Sequence, residues 1–262
     1  MRIATWNVNG IRPRLAQVLR FLHEQQPHIL CLQETKVEDA LFPREAFAEA
    51  GYSQQVIVGQ KAYHGVAILA SVPIEPVPRQ VFANLDDKRH AAVMTQDGIA
   101  IHNFYFPSGG AIPDAASNPK FAHKQAFFSE VTQWLKGQAS HDKPLVMLGD
   151  FNVAPLENDV WNHKRLRRSI GHTDEECAWM RAMQATLDLA DAPRLFVPPS
   201  EPLYSWWGYR FKESVAKDYG WRLDHAWLTP NLRDRLQRAE IIKATRIWDK
   251  PSDHVPVLIK LT

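Results

Sequence analysis

Short apolar runs that end on polar residues recur along this chain, and they predict most of its strands. Residues 3–8 and 28–33 are two such runs, and between them apolar residues fall at helical spacing up to Gln26, where Pro27 stops the helix. A strand, a helix and a second strand within about 33 residues indicate an α/β unit. Periodicity does not decide whether these two strands are parallel.

The middle of the chain differs, because its strand-like segments follow one another without helices between them. These apolar or alternating segments are residues 54–58, 65–71, 91–95 and 99–106. Strands joined without crossover helices favour antiparallel pairing.

The second half of the chain predicts two further helices. One is amphipathic, with its apolar residues at Phe121, Phe128, Val131, Trp134 and Leu135. The other covers residues 174–187, where Thr173 caps the helix and Glu176 completes a capping box. Further strands are predicted at residues 145–149, 204–207, 223–228 and 254–261.

Composition places the chain among ordinary globular proteins. Of its 262 residues, 45% are hydrophobic and 23% are charged, and the net charge of +2 does not by itself indicate a polyanionic partner. The two cysteines, Cys31 and Cys177, make neither a disulfide framework nor a thiolate metal site. The first residues lack the apolar core expected of a signal peptide, no apolar stretch reaches the length of a membrane helix, and the pattern shows no long linker or repeat. We therefore expect a single cytoplasmic domain over residues 1–262 that makes no membrane contact.

One stretch, residues 145–153, combines a buried strand with polar chemistry. Four apolar residues lead to Gly149, and Asp150 and Asn152 then stand two positions apart, on one face of an extended chain. A rigid strand end of this kind can deliver catalytic groups in an α/β enzyme. The alternative is turn chemistry, because Asp and Asn also favour turns at strand ends.

Similar polar residues mark other strand ends. They are Asn7, Glu34, Asp224 and the pair Asp253-His254. A buried carboxylate needs a partner, so these acids call for a metal or hydrogen-bond donors. Oxygen ligands without cysteine suit Mg²⁺ or Mn²⁺, although His254 could bind a softer metal or make a structural hydrogen bond. With Asp224 to orient His254, the set suits metal-assisted hydrolysis of a phosphoester.

Six motifs carry a resemblance to a known family. They are Trp6-Asn7-Val8-Asn9-Gly10, Leu32-Gln33-Glu34-Thr35-Lys36, Tyr105-Phe106-Pro107, Gly149-Asp150-Phe151-Asn152, Gly220-Trp221-Arg222-Leu223-Asp224 and Pro251-Ser252-Asp253-His254. Together, in this order, they resemble the exonuclease III family of abasic-site endonucleases, within the endonuclease/exonuclease/phosphatase superfamily. The resemblance implies a four-layered α/β sandwich, with two mixed, mostly antiparallel sheets face to face and helices outside.

The resemblance also implies roles for individual residues. Glu34 corresponds to the main metal ligand, with Asn7 and Asp253 close to the metal. Asp150 corresponds to the residue that orients or deprotonates the attacking water, and Asn152 and Tyr105 to groups that contact the phosphate. His254, paired with Asp224, corresponds to the histidine that binds a non-bridging phosphate oxygen. The implied cofactor is Mg²⁺, for which Mn²⁺ would substitute.

Substrate-binding residues follow from the same resemblance. Trp206, Trp221 and Leu223 correspond to the lining of a small apolar pocket for a base-less sugar, which a normal nucleotide would not fit. The alternative is that these tryptophans are core, which is the favoured interpretation for Trp207. Phosphate contacts are expected at Lys36, Lys61, His64, Arg89, Lys164, Arg165 and Arg167, although a basic run is more often a solvated surface.

The leading hypothesis is a magnesium-dependent DNA repair phosphodiesterase. It would incise double-stranded DNA 5′ to abasic sites as a monomer, and it would also act on damaged 3′ ends, as a 3′-phosphodiesterase and 3′-to-5′ exonuclease. The alternatives are a superfamily phosphatase or phospholipid esterase, and a catalytically silent DNA-binding module.

Overall fold

The structure is a computed structural model that describes residues 1–138, 143–209 and 213–262. Its strands are β1 (Arg2–Asn7), β2 (Ile29–Gln33), β3 (Gln54–Val58), β4 (Val66–Ala70), β5 (Ile74–Val77), β6 (His90–Thr95), β7 (Ala100–Tyr105), β8 (Leu145–Asp150), β9 (Ala190–Asp191), β10 (Asp224–Leu228), β11 (Leu236–Ile241) and β12 (Val257–Leu261). Its α-helices are α1 (Ile11–Gln25), α2 (Arg44–Glu49), α3 (Pro119–Gly137), α4 (His163–Leu166), α5 (Asp174–Ala185) and α6 (Pro230–Arg233).

The strands form two six-stranded sheets. The first has the order β11-β12-β1-β2-β4-β3, and the second has the order β5-β6-β7-β8-β10-β9. Two neighbouring pairs are parallel, β1 with β2 and β7 with β8, and the other pairs are antiparallel. The predicted α/β unit is therefore a parallel one, and the predicted antiparallel pairing of the middle strands is confirmed for β3 with β4 and β6 with β7.

Three buried clusters hold four layers together. The central cluster joins the inner faces of both sheets, through residues such as Ile29 and Ile68 of the first and Ile101 and Val146 of the second. A second cluster packs α1 on the outer face of the first sheet. The third packs α3 and α5 on the outer face of the second. The predicted four-layered α/β sandwich is confirmed.

Sequence patterns misplaced some of the elements. Residues 204–207 are not a strand, because Trp206 makes only isolated bridges, to Trp221 and to His254. The last strand begins at Val257 rather than at residue 254, just after Pro256, which lacks an N–H group for pairing. Both β5 and β11 were missed. Each is an edge strand with exposed polar or proline positions, so its apolar pattern is weak.

The predicted amphipathic helix and capping box are confirmed. The Asn118 side chain accepts a hydrogen bond at the start of α3, which also has Pro119 in its first turn. Thr173 and Glu176 bond reciprocally at the start of α5. Among the described residues, no helix combines the length and apolar character that a membrane span requires.

Two buried histidines lie between the second sheet and α3. The backbone N–H of Gln80 donates to His90 Nδ1 at 2.8 Å, so His90 carries its proton on Nε2, which lies 3.1 Å from His102 Nδ1. This chain of bonds requires both rings to be neutral. Burial lowers the pKa of His102 to about 4, and burial, followed by the proximity of the ionisable His102 ring, lowers the pKa of His90.

We predict that the neutral His102 makes the fold sensitive to acid. The unfolded chain takes up a proton at its ordinary pKa near 6.5 while the folded chain resists protonation down to about 4. Stability from this group is therefore complete above pH 6.5 and is lost between there and pH 4, by up to about 3 kcal/mol. His102→Asn keeps an acceptor for His90 and should flatten the dependence of unfolding free energy on pH, measured by urea denaturation. Equal slopes for the two proteins would contradict the assignment.

Candidate active site

Strand pairing brings the predicted polar residues to one edge of the sandwich. The carboxyl ends of the parallel pairs β1-β2 and β7-β8 carry Asn7, Glu34, Tyr105 and Asp150. Strand β10 runs antiparallel to β8 and places Asp224 opposite Asp150. Residues far apart in the sequence therefore meet where the two sheets adjoin.

Asn7 links two acids at this edge. Its Nδ2 donates to Glu34 Oε1 at 2.9 Å and to Asp150 Oδ2 at 2.8 Å. The other carboxylate oxygen of Glu34 lies 2.7 Å from Lys36 Nζ. Burial opposes ionisation of Glu34, but the charge of Lys36 and the bond from Asn7 outweigh it and lower the pKa of this carboxyl. Glu34 is therefore an ionised carboxylate in the free protein.

The environment of Asp150 opposes ionisation of its carboxyl group more strongly than that of Glu34 does. The Asp150 side chain is completely buried. Burial, opposed by the charge of His254 and reinforced by those of Asp224 and Glu34, raises the pKa of Asp150 to about 7. A carboxyl group that titrates near neutrality can act as a proton acceptor under physiological conditions.

Asn152 fixes the orientation of the Asp150 carboxylate. Its backbone N–H donates to Asp150 Oδ1 at 2.9 Å, and its Nδ2 donates to Asp150 Oδ2 at 3.1 Å and to the Phe106 carbonyl at 2.9 Å. Asn152 has a left-handed backbone, with φ of 53°. The turn interpretation of this stretch is therefore correct for the backbone, and the turn's own bonds hold the acid in place.

Asp224 and His254 form the predicted couple. His254 Nδ1 lies 2.8 Å from Asp224 Oδ2, which also accepts from Ser205 Oγ at 2.6 Å. Burial disfavours a charged imidazole, but the carboxylates of Asp224 and Asp150 outweigh it and raise the pKa of His254 to about 10. His254 Nε2, 3.8 Å from Asp150 Oδ2, therefore carries a proton that it can donate.

A small group of side chains could hold a cation. Glu34, Asp150 and His254 each offer an atom within 4.8 Å of the others. Because His254 is protonated, the carboxylate oxygens of Glu34 and Asp150 are the donors that remain for a metal. Oxygen donors of this kind fit a hard divalent cation such as Mg²⁺ or Mn²⁺ better than a softer metal.

Asp253 lies to one side of that group. Its Oδ1 accepts from Asn9 Nδ2 and its Oδ2 from Trp206 Nε1, each at 3.0 Å. Asn9 also accepts from Lys36 Nζ at 2.5 Å. The carboxylate of Asp253 thus connects this edge to Trp206, and its predicted role beside a metal stays a prediction.

The three predicted pocket residues come together beside His254. Trp206, Trp221 and Leu223 share one apolar cluster with Ala154 and Val160. The Trp206 ring lies perpendicular to that of Trp221, with centroids 6.3 Å apart, and 6.4 Å from the His254 ring. Both tryptophans are half-buried, so they line a surface that is open on one side.

Trp207 differs from its neighbour and belongs to the core, as its sequence suggested. It is only 2% exposed and packs with Tyr204 and Val255.

The residues predicted to contact phosphate fall into two groups. Lys61, Lys164, Arg165 and Arg167 are exposed, and the last three lie on or directly after α4. Their exposure lets these side chains reach a polyanion, although the Arg167 guanidinium lies 3.2 Å from Asp174 and the Arg165 guanidinium lies 5.5 Å from the Trp161 ring centroid.

The second group is engaged within the protein. Arg89 is buried, forms an ion pair with Asp87 and lies over the Tyr105 ring at 4.7 Å, and His64 Nε2 is 3.0 Å from its guanidinium. Lys36 forms an ion pair with Glu34. Burial, and next the charges of Glu34 and Asp150, raise the pKa of the Tyr105 phenol. Arg89 therefore packs on the ring of Tyr105, whose phenol is neutral and can donate a hydrogen bond. The contact of Arg89 with a phosphate stays a prediction.

Several residues that support the site were not predicted. Ser205 accepts from the backbone N–H groups of Leu223 and Asp224 while donating to Asp224. Lys124 is completely buried and donates to the Asn152 carbonyl at 2.8 Å. A signal for Lys124 exists in the sequence, because it lies three residues after Phe121 and four before Phe128, on the apolar face of α3.

Buried charges also support the loop before α4. Arg222, between two pocket residues, bonds Asp159 at 2.7 and 2.9 Å and lies 2.8 Å from Asp191. This network anchors the segment that carries Trp221 and Leu223, two of the predicted pocket residues.

Comparison with known proteins gives consistent matches along the whole chain. A sequence model of the Endonuclease/Exonuclease/phosphatase family matches residues 4–254. Exodeoxyribonuclease III of Haemophilus influenzae is 30% identical, over 98% of both chains. Two solved structures align over 100% of this chain and 99% of their own. One is a 3′ phosphatase from Neisseria bound to a product DNA hairpin (TM-score 0.91, 30% identity), and the other an AP endonuclease from Archaeoglobus fulgidus (TM-score 0.90, 31% identity).

We predict that Asp224 is the main reason that His254 stays protonated. Asp224→Asn keeps the shape of the side chain and removes the charge, so the pKa of His254 should fall by about one pH unit or more. NMR titration of the imidazole in metal-free protein measures it. Asp253→Asn is the matched control, since that acid makes no hydrogen bond to the imidazole and its removal should have a smaller effect. Equal values for the wild type and Asp224→Asn would contradict the assignment.

Proposed function

Because the chain belongs to the Endonuclease/Exonuclease/phosphatase family, and is an exodeoxyribonuclease III-like phosphoric diester hydrolase, we propose that it repairs damaged DNA. It cleaves the phosphodiester bond on the 5′ side of an abasic nucleotide in a duplex. Residues 1–262 act as a single catalytic domain and as a monomer.

The observation that carries this proposal is the shared wall between the acidic edge and the apolar cluster. Trp206 packs on Trp221, faces the His254 ring and donates to Asp253. A phosphate held by His254 would therefore have its own sugar against the two tryptophans. A sugar without a base suits this small apolar surface, whereas an intact nucleotide adds a polar base that must be accommodated.

Asp150 acts on the attacking water. Its pKa of about 7 allows it to take a proton as the water oxygen bonds to phosphorus and the bond from phosphorus to the 3′ oxygen breaks. Asn7 and Asn152 hold the carboxylate in one orientation for that transfer. Both amide hydrogens of Asn152 are already donated, so its expected phosphate contact requires exchange of one bond.

His254 and Tyr105 stabilise the phosphate. The protonated imidazole donates from Nε2 to a non-bridging oxygen while Asp224 holds Nδ1. The neutral phenol of Tyr105 donates a second hydrogen bond. Donors fixed in advance toward developing negative charge are typically the strongest contribution to such catalysis.

Glu34 is the main residue that would hold the cation, with Asn7 and Asp253 beside it. Magnesium, or manganese in its place, would supply positive charge that stabilises the phosphate and the departing 3′ oxygen. The exposed Lys61, Lys164, Arg165 and Arg167 bind neighbouring phosphates, which makes affinity fall with salt.

A second activity on the same site is removal of groups from damaged 3′ ends. The relative from Neisseria, named a 3′ phosphatase and bound to a product DNA hairpin, favours it. A terminal phosphate would meet the same His254 and Asp150 as an internal one.

The test is incubation with a 5′-labelled duplex that carries one abasic analogue, in the presence of magnesium or of a chelator. We expect one incision, 5′ to the analogue, that requires the metal and exceeds cleavage of the undamaged duplex. A duplex with a 3′ phosphate, and vesicles of phosphatidylinositol, are run in parallel. Cleavage of the lipid without incision of any duplex would overturn the proposal.

Asp150→Asn serves as the control for contaminating nucleases. It keeps the shape of the carboxylate, so duplex binding measured by fluorescence anisotropy should stay close to that of the wild type. Incision should fall by at least about 100-fold, since the proton acceptor is lost. An Asp150→Asn protein that kept most of its rate would show that this acid does not act on the water.

A further inference from the structure

A completely buried ammonium group lies behind the proposed active site. Lys124 Nζ donates to Glu176 Oε1 at 2.5 Å, to the Asn152 carbonyl at 2.8 Å and to the Ser108 carbonyl at 3.4 Å. Both charged side chains are 0% exposed. A single ammonium group thereby joins α3 and α5 to the loops that follow β7 and β8.

One oxygen of the carboxylate partner is bonded by other donors, and Lys124 Nζ donates to the other. Glu176 Oε2 accepts from the Gly171 backbone at 2.8 Å, and from the Thr173 backbone and hydroxyl at 3.2 and 2.8 Å. Glu176 thus caps α5 whether or not it faces a cation. A glutamine could accept the same bonds through its amide oxygen.

Stability does not account for such an ion pair. Removing two charges from water is costly, and a buried pair replaced as a whole by neutral side chains is often no less stable. What Lys124 does provide is a bond to the Asn152 carbonyl, which no other donor makes among the residues that the structure describes. Lys124 fills the space beside Gly109, where a Cβ would lie 3.0 Å from its side chain, so its position is fixed by packing too.

The contact from Lys124 to Asn152 is made to the residue that orients the Asp150 carboxylate. The left-handed backbone of Asn152 directs its carbonyl to Lys124 while its N–H and side chain both donate to Asp150. A rotation of the peptide planes around residue 152 would therefore release the Asp150 carboxylate from two of its bonds.

We propose that Lys124 is a positioning residue, which fixes the Asn152 turn and through it the orientation of Asp150 toward the attacking water. This inference rests on the proposed function of Asp150. It predicts that the rate of the chemical step depends on the Lys124 contact to Asn152 rather than on the Lys124–Glu176 ion pair as such.

Three variants separate the two contacts, and each is assayed on the abasic duplex with magnesium. Lys124→Met removes the contacts to Glu176, Asn152 and Ser108. Glu176→Gln removes the ion pair and places an amide N–H2 opposite Lys124, which as a neutral amine can accept from it and still donate to the Asn152 carbonyl. The double variant removes both charges, so no unpaired charge stays buried and thermal stability should recover relative to Lys124→Met. We expect kcat to fall by about 10- to 100-fold in Lys124→Met and in the double variant, with KM for the duplex changed by less than about threefold. In Glu176→Gln, kcat should stay within about threefold of the wild type at temperatures where it is folded.

The outcomes distinguish positioning from structural support. A double variant with recovered stability and a wild-type kcat would overturn the inference, as would equal losses of kcat in Lys124→Met and Glu176→Gln. If the double variant does not fold, the comparison of the two single variants, each below its own unfolding temperature, decides the question. A wild-type protein that leaves the abasic duplex intact would refute the proposed function, and Lys124→Met is then compared on whichever ester the wild type does hydrolyse.

Discussion

The rest of this site depends on how three neighbouring carboxylates, those of Glu34, Asp150 and Asp224, are accommodated in the corner where the two sheets meet. Glu34 and Asp224 lie close enough to Asp150 for their charges to act on it, and burial, reinforced by those charges, raises the pKa of Asp150 to about 7. Each acid has a different counterpart: Lys36 for Glu34, His254 for Asp224, and carboxamide donors for Asp150. Those counterparts leave the corner with excess negative charge on its open side. A divalent cation would neutralise this negative charge. The same negative charge raises the proton affinity of Asp150, so Asp150 could deprotonate a neighbouring water.

The fold supplies this corner through geometry that tolerates strain. The parallel pairs β1-β2 and β7-β8 deliver their carboxyl ends to one edge, and the chain then has to turn at once. Glu34 and Asn152 both adopt left-handed conformations there, with φ of 52° and 53°. Such conformations are costly for residues other than glycine and persist where surrounding bonds hold them. At Asn152 these are the side-chain hydrogen bonds to Phe106 and Asp150 and the hydrogen bond from Lys124 to the carbonyl. Lys124 therefore bears on the chemistry of the site although it lies outside it.

The sequence alone predicted most of the strands and the grouping of the site residues, for reasons that differ between fold and site. Apolar runs located the central strands because these are buried on both faces, and the family resemblance carried by six motifs is confirmed. The edge strands β5 and β11 were missed, since each has two exposed positions that weaken its apolar pattern. Residues 204–207 look like a strand because Trp206 and Trp207 are apolar, although Trp206 packs with Trp221 and Leu223, and Trp207 packs in the core. Polar strand ends predicted which residues meet. They did not predict Lys124, because a lysine on an amphipathic helix usually extends to solvent, nor the bonds that tie Asp253 to Asn9 and Trp206.

The most direct test of the account is the affinity of the free protein for Mn²⁺, measured by electron paramagnetic resonance titration. If the acidic corner is a cation site, Glu34→Gln should weaken Mn²⁺ binding by at least about 10-fold, since one ionised oxygen ligand is lost. The control is Glu38→Gln, four residues along and exposed, which should bind Mn²⁺ as the wild type does. Unchanged affinity in Glu34→Gln, or an equal loss in both variants, would contradict the central claim that these carboxylates are arranged around a metal.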